Sequence, residues 1–259
     1  MRAVKILVHF IICTALALSL PILAQSEKIK FIGKAYDLTT NEFLYTELHE
    51  DQFENGQPQK GTVIYRRPDG EIIVKKEIDF TPGSALPSFY LEDFRDGYIE
   101  GAEWRDKTLY VKARRTKDNP LKEEKLSPNQ PIVIDKGFDF FVRNSFDSLM
   151  ADKTIQFDFI VPIEFNSFRF RIAKEQDTEF DQKKAVVFKL ELNNSFIRWL
   201  SDPIYLTYDI KTKQLLRYQG TSNINDEQGK AYNVNIVYEY YDQKADVSAQ
   251  AKQDATPTE

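Results

Sequence analysis

The sequence predicts a mainly β protein: a single curved antiparallel sheet, or half-open β-barrel, of about ten to twelve strands with one central covering helix and one short helical turn. Three observations carry this. Short segments of apolar–polar alternation recur along most of the chain, separated by turn residues. The alternation is one-sided, so one face of each strand meets a core or cavity and the other meets water. Aromatic residues are abundant, nineteen Phe and thirteen Tyr in 259 residues, and large rings suit half-buried strands.

The strands follow in order. Ile29–Phe31 running into Ala35, Phe43–His49, Val63–Arg67 and Ile72–Phe80 alternate with period two. Asp69-Gly70 after Pro68 marks a hairpin, because Gly takes positive φ at no steric cost. Tyr98–Trp104, Leu109–Ala113, Ile155–Val161, Phe168–Ile172, Val186–Leu192, Ile204–Tyr208, Leu215–Gly220 and Tyr232–Tyr240 complete the set. Pro82 to Pro87 reads as a connection. Phe138–Met150 places Phe138, Phe141, Val142, Ser145 and Leu149 near one helical stripe, which predicts the covering helix. Ser195–Leu200 predicts the short helical turn, with Asn194 or Ser195 as its cap. The stretch Tyr36-Asp37-Leu38-Thr39-Thr40 is echoed by Tyr208-Asp209-Ile210-Lys211-Thr212. Shared turn chemistry explains this better than duplication, since Asp and Thr have local hydrogen-bonding reasons to sit there.

The ends of the chain suggest an address. Residues 1–24 read as a signal peptide: Arg2 and Lys5 precede an apolar run from Ile6 to Leu20, and Ile22 to Ala24 offers the cleavage site. Residues 25–242 read as one antiparallel β domain and 243–259 as a disordered polar tail. Export to the periplasm of a Gram-negative bacterium follows, with secretion as the alternative. Cys13 lies inside the leader, so the mature chain has no thiol for a disulfide, a metal or nucleophilic catalysis. Removal of Arg2 and Lys5 leaves 33 basic against 40 acidic side chains, a net charge of −7 that argues against nucleic acid as partner. No later segment has the length of a membrane-spanning helix, so no transmembrane anchor is expected after cleavage. Charge along one strand face, at Lys75, Glu77 and Asp79, at Arg169 and Arg171 and at Lys189 and Glu191, could line the lumen of an outer-membrane barrel, but a polar tail in place of a final aromatic strand and the interrupting Phe138–Met150 helix argue against one.

Catalytic chemistry is hard to find. The chain contains no G-x-S-x-G, H-E-x-x-H, phosphate-binding loop or dinucleotide fingerprint, and no catalytic residue, metal site or cofactor is assigned. His49 shares a strand face with Tyr45 and Glu47, continued by Asp51; the expectation is a polar face in water, where His49→Ala would cost little. Aromatic surface is the positive signal. Phe157, Phe159, Phe168 and Phe170 alternate in two strands joined around Pro162–Asn166, so their rings should share one side, opposite Arg169 and Arg171. With Phe188 and Phe141 they form the candidate apolar face for a ligand. A filled core made of the same rings is the competing reading, that of a cell-envelope scaffold with no ligand.

The order of leader, antiparallel strands, a covering helix and Tyr-rich strands around a Y-D-x-x-T-x-x-L-L hairpin at Tyr208–Leu216, with Phe43–His49, resembles the LolA/LolB-like periplasmic half-barrel group over most of residues 28–241. The resemblance implies a curved sheet closed over an apolar cavity that holds a lipid or lipoprotein acyl chain, with an envelope protein as a further partner. Mass analysis of the exported form is expected to place its N-terminus at or near Gln25. An intact N-terminus on membrane-bound protein would contradict the leader assignment.

Overall fold

A computed structural model describes residues 26–194 and 202–241. The leader, the Ser195–Leu200 turn and the polar tail lie outside the described residues. Fifteen strands form one sheet. The first eight are β1 (Ser26–Asp37), β2 (Phe43–Glu54), β3 (Gln57–Arg66), β4 (Ile72–Asp79), β5 (Ser88–Asp93), β6 (Ile99–Arg105), β7 (Thr108–Arg114) and β8 (Lys122–Leu126). After β9 (Ile132–Ile134) come helices α1 (Gly137–Asn144) and α2 (Phe146–Met150). The rest are β10 (Ile155–Val161), β11 (Asn166–Phe180), β12 (Lys183–Leu192), β13 (Ile204–Asp209), β14 (Leu215–Asn225) and β15 (Ala231–Tyr240).

Each strand pairs with its neighbour in sequence, except at two places. β1 pairs with β15, so the first and last strands join two meanders into one sheet. β8 and β9 are not paired and form the two edges, so the sheet is curved but not closed. β9 pairs with β10 in parallel, because the helical segment between them carries the chain back to the end where it started. The sheet curls until the turn Pro162–Glu164, which follows β10, packs on β6 and β7. Across that approach the Ile163 N–H donates to the Glu100 carboxylate, and Arg115 pairs with Glu164 at 2.9 Å.

The covering helix is one element interrupted at Ser145, whose φ of −95° and ψ of 0° end α1 and begin α2. It bridges the concavity. Phe140 packs on Phe80 from the first meander, with ring centres 5.1 Å apart, while Phe141 packs on Phe157 from the second at 4.8 Å. Phe146 meets Phe188 at 5.4 Å. Two neighbouring residues tie the start of the helix into the sheet. Asp135 accepts from Lys76 of β4 at 2.6 Å, and Lys136 donates to Asp51 of β2 at 2.5 Å. All four side chains are largely buried.

Most predicted strands are present and longer than their alternating cores, because backbone pairing carries them past the apolar positions. Three strands have no prediction. β5 follows the Pro82–Pro87 connection, and its outward Tyr90 blurs the alternation of buried Phe89, Leu91 and Asp93. β8 is almost wholly charged and exists through pairing with β7; its charge protects an open edge from further pairing. β9 has three residues, all buried. Its edge is covered by the Pro82–Pro87 connection, where the Ala85 carbonyl accepts from the Ile134 N–H at 3.1 Å. No described helix is long and apolar enough to cross a membrane.

The two echoed hairpins share a construction. Asp37 Oδ1 accepts from the N–H groups of Thr39 and Thr40, and Asp209 Oδ1 from those of Lys211 and Thr212. Each turn then places one residue at positive φ, Asn41 at 61° and Lys213 at 55°. Turn chemistry accounts for the repeated letters.

Phe188 is fully buried, whereas Phe94 is 53% exposed. Phe188→Ala should therefore cost about 3–5 kcal/mol through lost ring contacts and the cavity left behind. Phe94→Ala should stay within about 0.5 kcal/mol. Denaturant unfolding of the two variants checks the contrast.

Candidate functional site

The inward positions of the strands leave a cavity of about 570 Å3 in the concavity, reached by residues of both meanders and of α1. Much of its wall is aromatic or aliphatic, including Phe31, Phe89, Phe138, Phe159, Phe170 and Ile236. The rest is polar and comes from several elements: Glu47 and His49 of β2, Lys76 of β4, Glu100 of β6, Asp135 and Lys136 before α1, and Ser222 and Asn223 of β14. Strand periodicity turns Tyr45, Glu47, His49 and Asp51 to the same side, and that side faces inward: all four are buried. The expectation of a solvated face around His49 is therefore wrong. Polar residues at inward positions look the same in sequence as polar residues at outward ones. The sheet's curvature puts them inside.

Room for these groups comes from two glycines. A Cβ on Gly33 would lie 3.1 Å from Glu47 Oε2 and 2.8 Å from the Tyr238 ring. A Cβ on Gly61 would lie 2.7 Å from Asp51 Oδ1. Glu47 Oε2 accepts from His49 Nε2 at 3.0 Å and from the Tyr238 hydroxyl at 3.2 Å. The Phe31 ring lies flat on the imidazole, 4.3 Å away and within 8° of parallel. Nε2 therefore carries the proton, and Nδ1 is left as an acceptor with no partner among the described residues. Burial pushes the His49 pKa below its ordinary value, and the nearby Lys136 ammonium adds to this. The ring is neutral.

The remaining ionised groups are mostly matched. Lys76 holds Asp135, Lys136 holds Asp51, and Arg143 holds Asp139 at 2.8 Å. Asp139 also accepts from the Tyr208 hydroxyl at 3.1 Å. Glu100 accepts from Tyr98 and from the Ile163 amide, and burial pushes its carboxyl up. Tyr45, Tyr65 and Tyr238 have hydroxyls pushed well up, first by burial and next by the Glu47 charge they surround. Among the described residues no group of three or more His, Cys, Asp or Glu side chains is arranged to hold a metal ion.

The six aromatic residues singled out from the sequence divide. Phe157 stands opposite Phe170 and Phe159 opposite Phe168, while Asp158 stands opposite Arg169, so the four rings do share one side. Only Phe159 and Phe170 border the cavity. Phe157 and Phe188 are fully buried beneath α1 and α2, and Phe141 packs on Phe157. Phe168 is half-buried at the start of β11. The sequence reading missed Glu47, His49, Tyr65, Tyr238 and Lys136 as cavity residues. A usable signal was present for two of them, since Glu47 and His49 fall in phase with the apolar Tyr45.

Fold and site together describe an open, β-barrel-like protein with a concave cavity that is apolar over much of its wall and carries polar groups from several elements. Among solved structures, the chain is similar to a β-barrel-like protein of a domain of unknown function, DUF1849, from Brucella abortus. The TM-score is 0.51 at 8% identity, over 83% of this chain and 99% of that one, a likeness of fold. No family model matches the sequence, and a search of curated proteins gives no significant match.

The buried imidazole makes stability depend on pH. Above its ordinary pKa of 6.5 the ring is neutral in both the folded and the unfolded chain. Below it the unfolded chain takes up a proton that the folded site accepts only at lower pH, so stability falls as pH falls. The thermal midpoint should drop more between about pH 7 and 5.5 in the native chain than in His49→Phe. Equal drops would show that the ring titrates freely.

Proposed function

We propose that this protein binds an apolar ligand, a lipid or acyl chain, in the concave interior of its sheet, as an exported, soluble component of the cell envelope. One observation carries the reading: the cavity of about 570 Å3 lined by rings and aliphatic side chains from both meanders. That size lies within the usual range for small-molecule sites. A scaffold with a filled core has less support, because the two meanders and α1 do not fill the space between them. The resemblance to the lipoprotein-carrier group belongs to this proposal, and the DUF1849 protein supports its fold. A hydrolase would draw on the Glu47–His49 pair, but the Ser222 hydroxyl bordering the cavity is already engaged by Tyr45 at 2.7 Å and by the Ile224 N–H at 3.0 Å.

Native mass spectrometry of protein purified from the envelope should show a retained lipid-sized mass, and its absence under gentle conditions would favour the scaffold. Ile236→Trp adds bulk to the cavity wall and should weaken binding of a fluorescent apolar probe by about tenfold or more. Phe94→Ala, on the exposed surface, should leave it unchanged. Equal probe binding in both variants would place the ligand elsewhere.

A further inference from the structure

Resting on that reading, we propose that the cavity discriminates by charge: it takes an amphiphile whose head is uncharged, such as an alcohol or an ester, and excludes one whose head is an ionised carboxylate.

The cations that reach the cavity lead there. Among the described residues bordering it, the basic groups are the ammonium groups of Lys76 and Lys136. Both are committed. Lys76 holds Asp135 at 2.6 Å, and Lys136 holds Asp51 at 2.5 Å. Their side chains are 5% and 10% exposed. An anionic head takes either one only by displacing its carboxylate, and the displaced carboxylate is left buried without a counter-charge. The same two pairs hold the start of α1 on the sheet, so the exchange would also loosen the cavity wall at Phe138 and Asp139.

The second observation concerns the acids. Glu47, Glu100, Asp135, Asp139, Glu191 and Asp202 border the same space, six carboxyl groups against two ammonium groups. Burial pushes the Glu100 carboxyl up, and leaving it out keeps the acids in excess. Arg143 and Arg171 hold Asp139 and Glu191, so these two cations are committed as well. An ionised acid that gives up its water here meets like charge, and each cation near it already holds a carboxylate. An uncharged head avoids both costs.

Two hydroxyls at the wall are also spent. Tyr238 donates its proton to Glu47, and Tyr218 donates to the Thr221 carbonyl, so neither is open to an oxyanion. Attraction then comes from apolar contact along Phe31, Phe159, Phe170 and Ile236. Specificity comes from what the site rejects.

The test compares dodecanoate with its methyl ester on the delipidated native chain, in buffer alkaline enough to keep dodecanoate ionised. Each is followed by displacement of a neutral fluorescent apolar probe, below the concentration at which it aggregates. Partition of the same pair into phosphatidylcholine vesicles gives the preference of an apolar phase without the charges of this cavity. The protein should prefer the ester by about tenfold or more beyond that reference. Asp51→Asn releases Lys136 and should tighten dodecanoate by about tenfold while leaving the ester unchanged. A preference no greater than that of the vesicles, or no gain in a folded Asp51→Asn chain, would overturn the charge discrimination and leave the apolar cavity standing. If neither ligand displaces the probe, the ligand-binding reading falls with it. The comparison on the native chain decides the matter even if Asp51→Asn fails to fold.

Discussion

Everything inside this sheet depends on how Asp135 and Lys136 are held. The two are adjacent in the chain, and each forms a buried ion pair with a different strand of the first meander. Together they fix where α1 begins, and α1 then lays Phe140 against the first meander and Phe138 and Phe141 against the second. Burying four charges is expensive, and a pair of this kind adds little net stability over an apolar replacement. Its value lies in direction. Loss of any one partner strands a buried charge, so the ions permit one placement of the helix where apolar packing alone would permit several.

That placement explains why the concavity is only partly filled. An open sheet of fifteen strands has to shield its inner face or collapse on itself. Here the helix covers the side built by β10 to β13, where Phe157, Phe188, Leu206 and Tyr208 form a closed core with Phe146 and Leu149. The Pro162–Glu164 turn closes on β6 and β7 from the other side. Between these two contacts lies the cavity. The polar strip of β2 runs along it because the same ion pairs that anchor the helix need Asp51 to face inward, and strand periodicity brings Glu47 and His49 with it.

The edges follow a different logic. Strand β8 faces water with Lys122, Glu123, Glu124 and Lys125, which discourages pairing with another chain. Strand β9 is apolar and fully buried, so charge could not protect it, and the Pro82–Pro87 connection satisfies it instead. Gly137 allows that approach, since a Cβ there would lie 2.6 Å from the Ala85 carbonyl oxygen. The open seam of the sheet is thus blocked on both sides by different means.

What the sequence determined by itself was local. Period-two alternation from Phe157 to Phe170 fixed strands and facing, because side-chain direction in a strand is set by backbone geometry alone. The Asp37 and Asp209 turns were readable for the same reason, their hydrogen bonds spanning only two or three residues. Helical spacing located α1 and α2. The tertiary structure decided which face was the inside. His49 reads as a solvated residue until the sheet curls, and Phe157 and Phe188 read as ligand contacts until the helix covers them. Strands β8 and β9 carry no alternation and are made by their neighbours. A strand's two faces are equivalent until long-range contacts bury one of them, and curvature and ion pairs between distant segments leave no period in the sequence.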